Sequence, residues 1–152
     1  MASVLGEEID VLAKAKRALG GDYAPSDKEP YMGEAQLDYY RRLLHEWKKL
    51  ILSAAQDTLQ SLQDGPIREP DLNDRASSET DWGIELRTRD RQRKLITKIE
   101  SALRRIEEGE YGYCEVTGEP IGLGRLSARP IATMTVEAQE AHERREKISR
   151  DD

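Results

Sequence analysis

Residues 34–63 read EAQLDYYRRLLHEWKKLILSAAQDTLQSLQ, and this stretch decides the fold. Apolar side chains recur along it in steps of three and four, which places them on one stripe of an α-helix. The stripe consists of Leu37, Tyr40, Leu44, Trp47, Ile51 and Ala54. Because such a stripe is stable only when it is covered, we predict a helix over residues 34–63 that packs along a second helix.

A second helical pattern follows after a break. Asp64-Gly65-Pro66 and then Pro70 stop the first helix, and a new pattern runs from about Ser77 to about Glu108. Its apolar positions are Leu95, Ile99, Ala102 and Ile106. Each helix has about thirty residues and is therefore about 45 Å long. We predict a long antiparallel coiled-coil hairpin over residues 34–108, with its tip near residues 64–77.

The N-terminal part predicts a shorter helix and a linker. A helix is expected from about Gly6 to Leu19, because Ile9, Leu12 and Ala15 share one face and Gly20-Gly21 ends it. The next residues, 22–33, form a linker, since Pro25 and Pro30 disfavour helix. We expect residues 1–33 to pack on the C-terminal module.

Residues 109–152 predict a small globular module. Five glycines and two prolines between residues 109 and 130 favour tight turns and short strands, and a closing helix is expected from Val136 to about Arg150. Burial is expected for Cys114, Ile121, Leu123, Leu126, Ile131 and Val136, with Thr135 capping the closing helix. The predicted fold class is therefore mainly α, a long hairpin joined to a small module.

The composition limits the functional classes. Charged residues make up 36% of the 152-residue chain, aromatic residues make up 5%, and phenylalanine is absent, which suits long exposed helices. The net charge of -6 repels a phosphate backbone, so direct sequence-specific DNA binding is not expected. Residues 1–8 have neither a basic leader nor an apolar core, and no segment is apolar enough to span a bilayer, so we expect no targeting segment. We expect a cytoplasmic monomer that does not contact membranes.

Residues 113–118, YCEVTG, have the outline of a zinc knuckle that lacks its second thiolate. A structural zinc site needs four ligands, and the chain has one cysteine, Cys114. His45 and His142 are distant in sequence and form no recognisable ligand pair or catalytic dyad with it. Cys114 is therefore interpreted as a small buried side chain, and we do not expect an enzyme.

Several other features have structural interpretations when they are taken alone. Trp47 fits the apolar stripe, and Trp82 is also assigned to the core, with contact to a partner protein as the alternative. The basic run 87–94 is typical of a solvated helix face. Asp74 or a nearby serine can cap the second helix, while Asp71 can be a solvated turn residue.

Four motifs together resemble the DksA family of bacterial transcription factors. They are residues 71–76 (DLNDRA), 85–96 (ELRTRDRQRKLI), 112–115 (GYCE) and 125–130 (RLSARP). The resemblance extends from the linker to the C-terminus. It implies a non-catalytic regulator that inserts its hairpin into the secondary channel of RNA polymerase and destabilises promoter complexes during the stringent response.

The resemblance also implies site residues. The tip residues nearest to the polymerase active site would be Asp71, Asp74 and Ala76. The surface that binds guanosine tetraphosphate (ppGpp) together with polymerase would contain Arg91, Leu95, Lys98 and Arg129. Gln139 stands where the family commonly has a lysine of that site, so a weaker response to the nucleotide is expected.

The zinc ligands of the family correspond to Cys114, Thr117, Thr135 and Ala138 in this chain, so three of four thiolates are replaced. We therefore expect a degenerate zinc finger with no structural zinc and no other cofactor, held by side-chain packing.

Two other functions remain open. A Gre-like secondary-channel factor would use its tip carboxylates to bind magnesium and stimulate transcript cleavage by polymerase. A coiled-coil adaptor unrelated to transcription would need only the helical stripe. The pattern at residues 71–76 favours the DksA-type function.

Overall fold

The computed structural model describes the backbone of residues 4–63 and 72–151, and the side chains of residues 10–57, 60 and 79–149. Its helices are α1 (Val4–Leu19), α2 (Glu34–Gln63), α3 (Leu72–Glu108), α4 (Leu123–Ala128) and α5 (Val136–Asp151). Across these two ranges no strand forms, and one antiparallel bridge joins Tyr113 to Pro120. The predicted fold class, mainly α with two long helices, is confirmed, while the predicted short strands are reduced to this bridge.

The chain divides into two compact units. The first unit contains Met1–Gly20 and His45–Lys98, and the second contains Gly21–Leu44 and Ile99–Asp152. Helices α2 and α3 contribute residues to both units. The division into residues 1–33, 34–108 and 109–152 stays a prediction. None of the helices in the described ranges is long and apolar enough to cross a membrane.

The first unit buries the apolar stripes that the sequence predicts. Its buried side chains are Leu12 and Ala15 of α1, Trp47 and Ile51 of α2, and Leu95 of α3. The prediction for Trp82 is wrong, because 41% of this side chain is exposed. The steps of three and four that lead back from Leu95 pass through Gln92 and Thr88, so Trp82 lies on another face of α3.

The second unit contains the most completely buried side chains. Leu44 of α2, Ile99 of α3 and Leu126 of α4 have no exposed surface, and Ala102 and Ile106 of α3 are also buried. An ion pair of 3.6 Å between Arg41 Nε and Glu107 Oε1 joins the first part of α2 to the last part of α3. The two helices therefore run antiparallel in this unit, as predicted.

All six tyrosines belong to the second unit. The rings of Tyr40 and Tyr111 lie 5.6 Å apart, and both side chains are buried. The Tyr111 hydroxyl donates a hydrogen bond of 2.7 Å to the Pro130 carbonyl, so burial leaves this polar group satisfied. Tyrosine thus fills the core volume that phenylalanine, absent from this chain, supplies in other proteins.

The C-terminal residues confirm most of the predicted burial. Cys114, Ile121, Leu126 and Ile131 are buried, whereas Leu123 is partly exposed and Val136 is 46% exposed. The prediction for Val136 is wrong because the inward face of α5 is occupied by Ala138 next to the buried Thr135. Thr135 caps α5 as predicted, since its Oγ1 accepts a hydrogen bond of 3.2 Å from the Ala138 N–H.

Candidate functional site

Residues 112–121 form a tight hairpin, which we call the knuckle. Its arms are joined by hydrogen bonds of 2.8 Å from the Cys114 N–H to the Glu119 carbonyl and from the Ile121 N–H to the Gly112 carbonyl. The turn closes through a third bond of 2.8 Å, from the Gly118 N–H to the Cys114 carbonyl. Gly118 has a φ of 76°, a conformation that glycine adopts without strain.

The Cys114 thiol lies inside this hairpin and is 3% exposed. Burial raises its pKa, but hydrogen bonds from the Thr117 hydroxyl and from surrounding backbone N–H groups outweigh burial and lower the pKa to about 7. These backbone groups belong to Thr135, Thr117 and Val116. The predicted burial is confirmed, and the donors give the sulfur a more polar surrounding than a core methyl group has.

Two of the positions that correspond to zinc ligands by resemblance, Thr117 and Thr135, therefore lie next to Cys114. Thr117 and Thr135 both donate to Cys114, and Ala138 follows Thr135 at the start of α5 through the capping hydrogen bond. A further bond of 2.8 Å from the Glu115 N–H to the Thr133 carbonyl links the knuckle to the segment before α5. Hydrogen bonds thus connect the knuckle to the segment that leads into α5.

The segment before α2 is tied to the knuckle by one side chain. The Tyr31 hydroxyl donates a hydrogen bond of 2.6 Å to the Gly112 carbonyl and accepts one of 2.9 Å from the Gly122 N–H. Its ring also meets the Tyr113 ring edge to face at 5.7 Å. Tyr31 thus holds both arms of the knuckle, and we call this contact the tyrosine clasp.

Close packing next to the clasp explains Gly112. A Cβ atom at this position would lie 2.6 Å from Met32 Cγ and 2.7 Å from Met32 Sδ, and the φ of Gly112 is 90°. Met32 is itself left-handed, with a φ of 53°, and its N–H donates a bond of 2.8 Å to the buried Gln36 side chain. The linker predicted at residues 22–33 is therefore an ordered part of the second unit.

Replacing Tyr31 by phenylalanine is expected to destabilise the protein by about 1–3 kcal/mol, because the Gly112 carbonyl and the Gly122 N–H lose their common partner. The measurement is the free energy of unfolding in urea. The matched control is Tyr39→Phe, since the Tyr39 hydroxyl has no hydrogen bond with a described residue. Equal losses in both variants would contradict the role assigned to the clasp.

The residues predicted for nucleotide binding are distributed over both units. Arg91, Leu95 and Lys98 lie on α3 in the first unit, where Leu95 is buried and Lys98 is exposed. The Arg91 guanidinium donates a bond of 3.1 Å to Thr88 Oγ1, while its buried Nε has no hydrogen-bond partner. Arg129 is exposed in the second unit and ends α4. Arg91 thus retains an unused donor.

The residues predicted for the tip are only partly within the described range. Asp71 lies outside the described residues. The backbone of Asp74 and Ala76 belongs to the first turns of α3, which begins at Leu72. Their predicted role stays a prediction.

Sequence reasoning missed several residues of this site. The sequence pattern places Tyr31 and Met32 in a linker and singles out no role for Gln36, although Gln36 is 1% exposed and donates to the Ser26 carbonyl at 3.1 Å. The tyrosines and prolines of residues 22–33 were the one sequence signal that this segment is packed against the rest of the protein. Their partners are too distant in sequence for any local pattern to reveal.

Two family models match the chain. Residues 36–106 match the model described as "DnaK suppressor protein DksA, N-terminal domain", and residues 109–144 match "Prokaryotic dksA/traR C4-type zinc finger". The second match contradicts the expectation that the module lacks structural zinc, because the model describes a zinc-binding fold over the knuckle and most of α5. That expectation was derived from counting thiols, and the match to a C4-type zinc finger contradicts it.

The donor set of this chain nevertheless differs from a four-cysteine site. Cys114 is its one thiol, and threonine or alanine occupies the other three corresponding positions. Among the described residues, no group of three or more His, Cys, Asp or Glu side chains is placed to hold a metal ion. The residues present do not fit a C4 centre, so the functions proposed below are argued from side chains alone.

Relatives of known name cover most of the chain. RNA polymerase-binding transcription factor DksA of Caulobacter vibrioides is 62% identical over 131 residues, covering 86% of this chain and 92% of the relative. The protein of the same name from Escherichia coli K12 is 42% identical, covering 82% and 83%. The solved structure of transcription factor DksA2 from Pseudomonas aeruginosa aligns with a TM-score of 0.72 and 37% identity, over 93% of this chain and 98% of that one. With similarity of this extent in both sequence and fold, the chain belongs to the DksA family.

Proposed function

We propose that this protein is a non-catalytic transcription regulator that binds RNA polymerase directly. Its hairpin enters the secondary channel, and the tip approaches the active site and destabilises promoter complexes. The relatives from Caulobacter vibrioides and Escherichia coli are named RNA polymerase-binding transcription factors. These names support RNA polymerase as the partner and a regulator rather than an enzyme as the class of protein. The protein would act in the cytoplasm as a monomer.

The observation that carries this proposal is the place of the acidic motif between two long helices. Residues 71–76 follow α2, which has 30 residues, and overlap the start of α3, which has 37 residues. Helices of these lengths extend about 45 Å and about 55 Å. Such helices can carry Asp71 and Asp74 deep into a channel, where carboxylates can accept hydrogen bonds from the enzyme or perturb its magnesium site.

The charge of the chain favours action through polymerase over DNA reading. The net charge of -6 opposes binding to a phosphate backbone, and the two long helices place acidic and basic residues side by side. Direct sequence-specific contacts to promoters are therefore not part of the proposal. Promoter selectivity would come from the stability of each polymerase complex.

The test uses purified core polymerase and the full chain. Direct binding and a shorter lifetime of open complexes at sensitive promoters are expected. Shortened transcripts in stalled complexes, without any change in promoter lifetime, would instead identify a Gre-like factor. Absence of polymerase binding would leave a helical adaptor as the better explanation.

We further propose that ppGpp binds where this protein meets polymerase. The candidate residues are Arg91, Leu95, Lys98 and Arg129. Arg91, Lys98 and Arg129 support an anionic ligand, because guanidinium and ammonium groups pair with polyphosphate. Gln139 contributes no positive charge, and its Nε2 donates to Glu143 Oε1 at 3.1 Å.

Replacing Gln139 by lysine is expected to lower the ppGpp concentration needed for half-maximal inhibition by about two- to fivefold. This corresponds to one partly exposed charge interaction of about 0.4–1 kcal/mol. The measurement is a titration of promoter inhibition with the nucleotide. Gln139→Glu is the control and should shift the titration in the opposite direction. Unchanged titrations for both variants would exclude residue 139 from the nucleotide site.

A further inference from the structure

Helix α3 exposes large apolar side chains next to arginines. Trp82, Ile84 and Leu86 are 41%, 42% and 50% exposed. Trp82, Leu86, Arg89 and Arg93 follow one another at intervals of four, three and four residues, so they share one face of the helix. We call these four residues the outer stripe. Leu95 marks the buried side of α3 and lies about 220° around the helix from Trp82.

The outer stripe borders an open groove. This groove has a volume of about 510 Å³ and is lined by Leu86, Arg87, Arg89, Asp90 and Arg93. Exposed apolar groups that adjoin cations on a helix are a poor arrangement for a face that contacts only water. Trp and Arg are also the residues that contribute most to protein–protein binding energy.

The charge around the groove opposes the charge of the whole chain. Residues 85–94 contain five cations, Arg87, Arg89, Arg91, Arg93 and Lys94, against two acids, Glu85 and Asp90, a local charge of +3 in a chain of -6. Asp90 is already engaged, because its carboxylate binds Arg93 and Lys94, and these contacts lower its pKa. Within the described ranges, Arg87 and Arg89 have no acidic partner.

We propose that the outer stripe is a docking surface for an acidic, partly apolar face of RNA polymerase, distinct from the contacts of the tip. This inference rests on the proposed function. A protein partner fits better than a nucleic acid, because Trp82 and Leu86 offer apolar area while the net charge of -6 repels a phosphate backbone. Carboxylates of the partner would pair with Arg89 and Arg93 around a centre formed by Trp82 and Leu86.

The test compares two double variants of the full chain. Trp82→Ala with Leu86→Ala removes the apolar half of the stripe, and Arg89→Glu with Arg93→Glu reverses its charge. The matched control is Arg144→Glu with Arg145→Glu, which makes the same charge change on the exposed face of α5. The measurement is the Kd for core polymerase at two salt concentrations, with helicity and melting checked by circular dichroism.

Each stripe variant is expected to raise the Kd about tenfold or more, with unchanged helicity, while the control stays close to the unmodified protein. The charge-reversal variant should also show a weaker salt dependence. Unmodified binding by both stripe variants would overturn the inference and leave the proposed function standing. Failure of the unmodified protein to bind polymerase would instead refute the proposed function. The inference would also be overturned if the stripe variants lost only nucleic-acid binding, or only self-association, while their Kd for polymerase stayed unchanged.

Discussion

Replacing Asp74 by asparagine should make the protein about 10- to 100-fold less effective in shortening the lifetime of open promoter complexes, while its binding to core polymerase largely survives. The substitution keeps the size and shape of the side chain and removes its negative charge. A hydrogen bond to a charged group is worth about 1.5–3 kcal/mol, which gives the expected range. Binding survives because the remaining contacts of the hairpin are unchanged. The measurements are complex lifetimes and the Kd for polymerase.

The matched control for this prediction is Asp81→Asn. Asp81 is exposed on α3, two turns beyond Asp74, so the variant makes the same charge change on the same helix. It should behave like the unmodified protein in both measurements. If Asp74→Asn were as active as the unmodified protein, the role assigned to the tip would be refuted.

Replacing Ile99 by alanine should lower the free energy of unfolding by about 2–5 kcal/mol, the largest stability effect that we expect. Ile99 lies on α3 in the second unit, and its side chain has no exposed surface. The substitution removes buried methyl and methylene groups and leaves a cavity among well-packed neighbours. Urea denaturation followed by circular dichroism gives the measurement.

Ile148→Ala provides the control for helix propensity. Ile148 lies on α5 and is 62% exposed, so its replacement removes little buried area. Both variants gain the same intrinsic preference of alanine for helix, and this gain cancels in the comparison. A change below about 0.5 kcal/mol is expected for Ile148→Ala. Equal destabilisation by the two variants would mean that Ile99 is not part of the tightly packed core.

The helices could be predicted because their signals are local. Helix α2 has the predicted bounds, Glu34–Gln63, since the helix-breaking sequence Asp64-Gly65-Pro66 follows it directly. Helix α3 begins at Leu72, five residues before the predicted start at Ser77. Proline is tolerated just before a helix, so Pro70 does not prevent a helix from starting at Leu72, and residues 72–76 contain no helix breaker. The predicted start at Ser77 therefore lies inside the helix.

The contacts that organise the knuckle could not be predicted in this way. Tyr31 bonds to Gly112 and Gly122, which are 81 and 91 residues away in sequence. A periodic pattern reports which face of a helix is buried and contains no information on such pairs. The Thr135 backbone donor to Cys114 cannot be predicted for the same reason, since it comes from a segment that is distant in sequence.

The exposed position of Trp82 could have been predicted from the register of α3. Its assignment to the core followed from residue type, since tryptophan is apolar and large. The steps between Leu95, Ile99 and Ala102 already exclude it from the buried stripe. The prediction of no zinc rested on the number of thiols in this chain. The match to a zinc-finger family instead reflects the whole sequence pattern of residues 109–144.

The tyrosine clasp has a consequence for the order of events during synthesis. Residue 31 leaves the ribosome about eighty positions ahead of the knuckle that it holds. A nascent chain therefore contains the Tyr31 hydroxyl long before its two backbone partners are synthesised. The knuckle must then fold against a side chain that was made earlier. Ribosome-bound chains that stop short of residue 122 would leave the Tyr31 ring accessible to solvent.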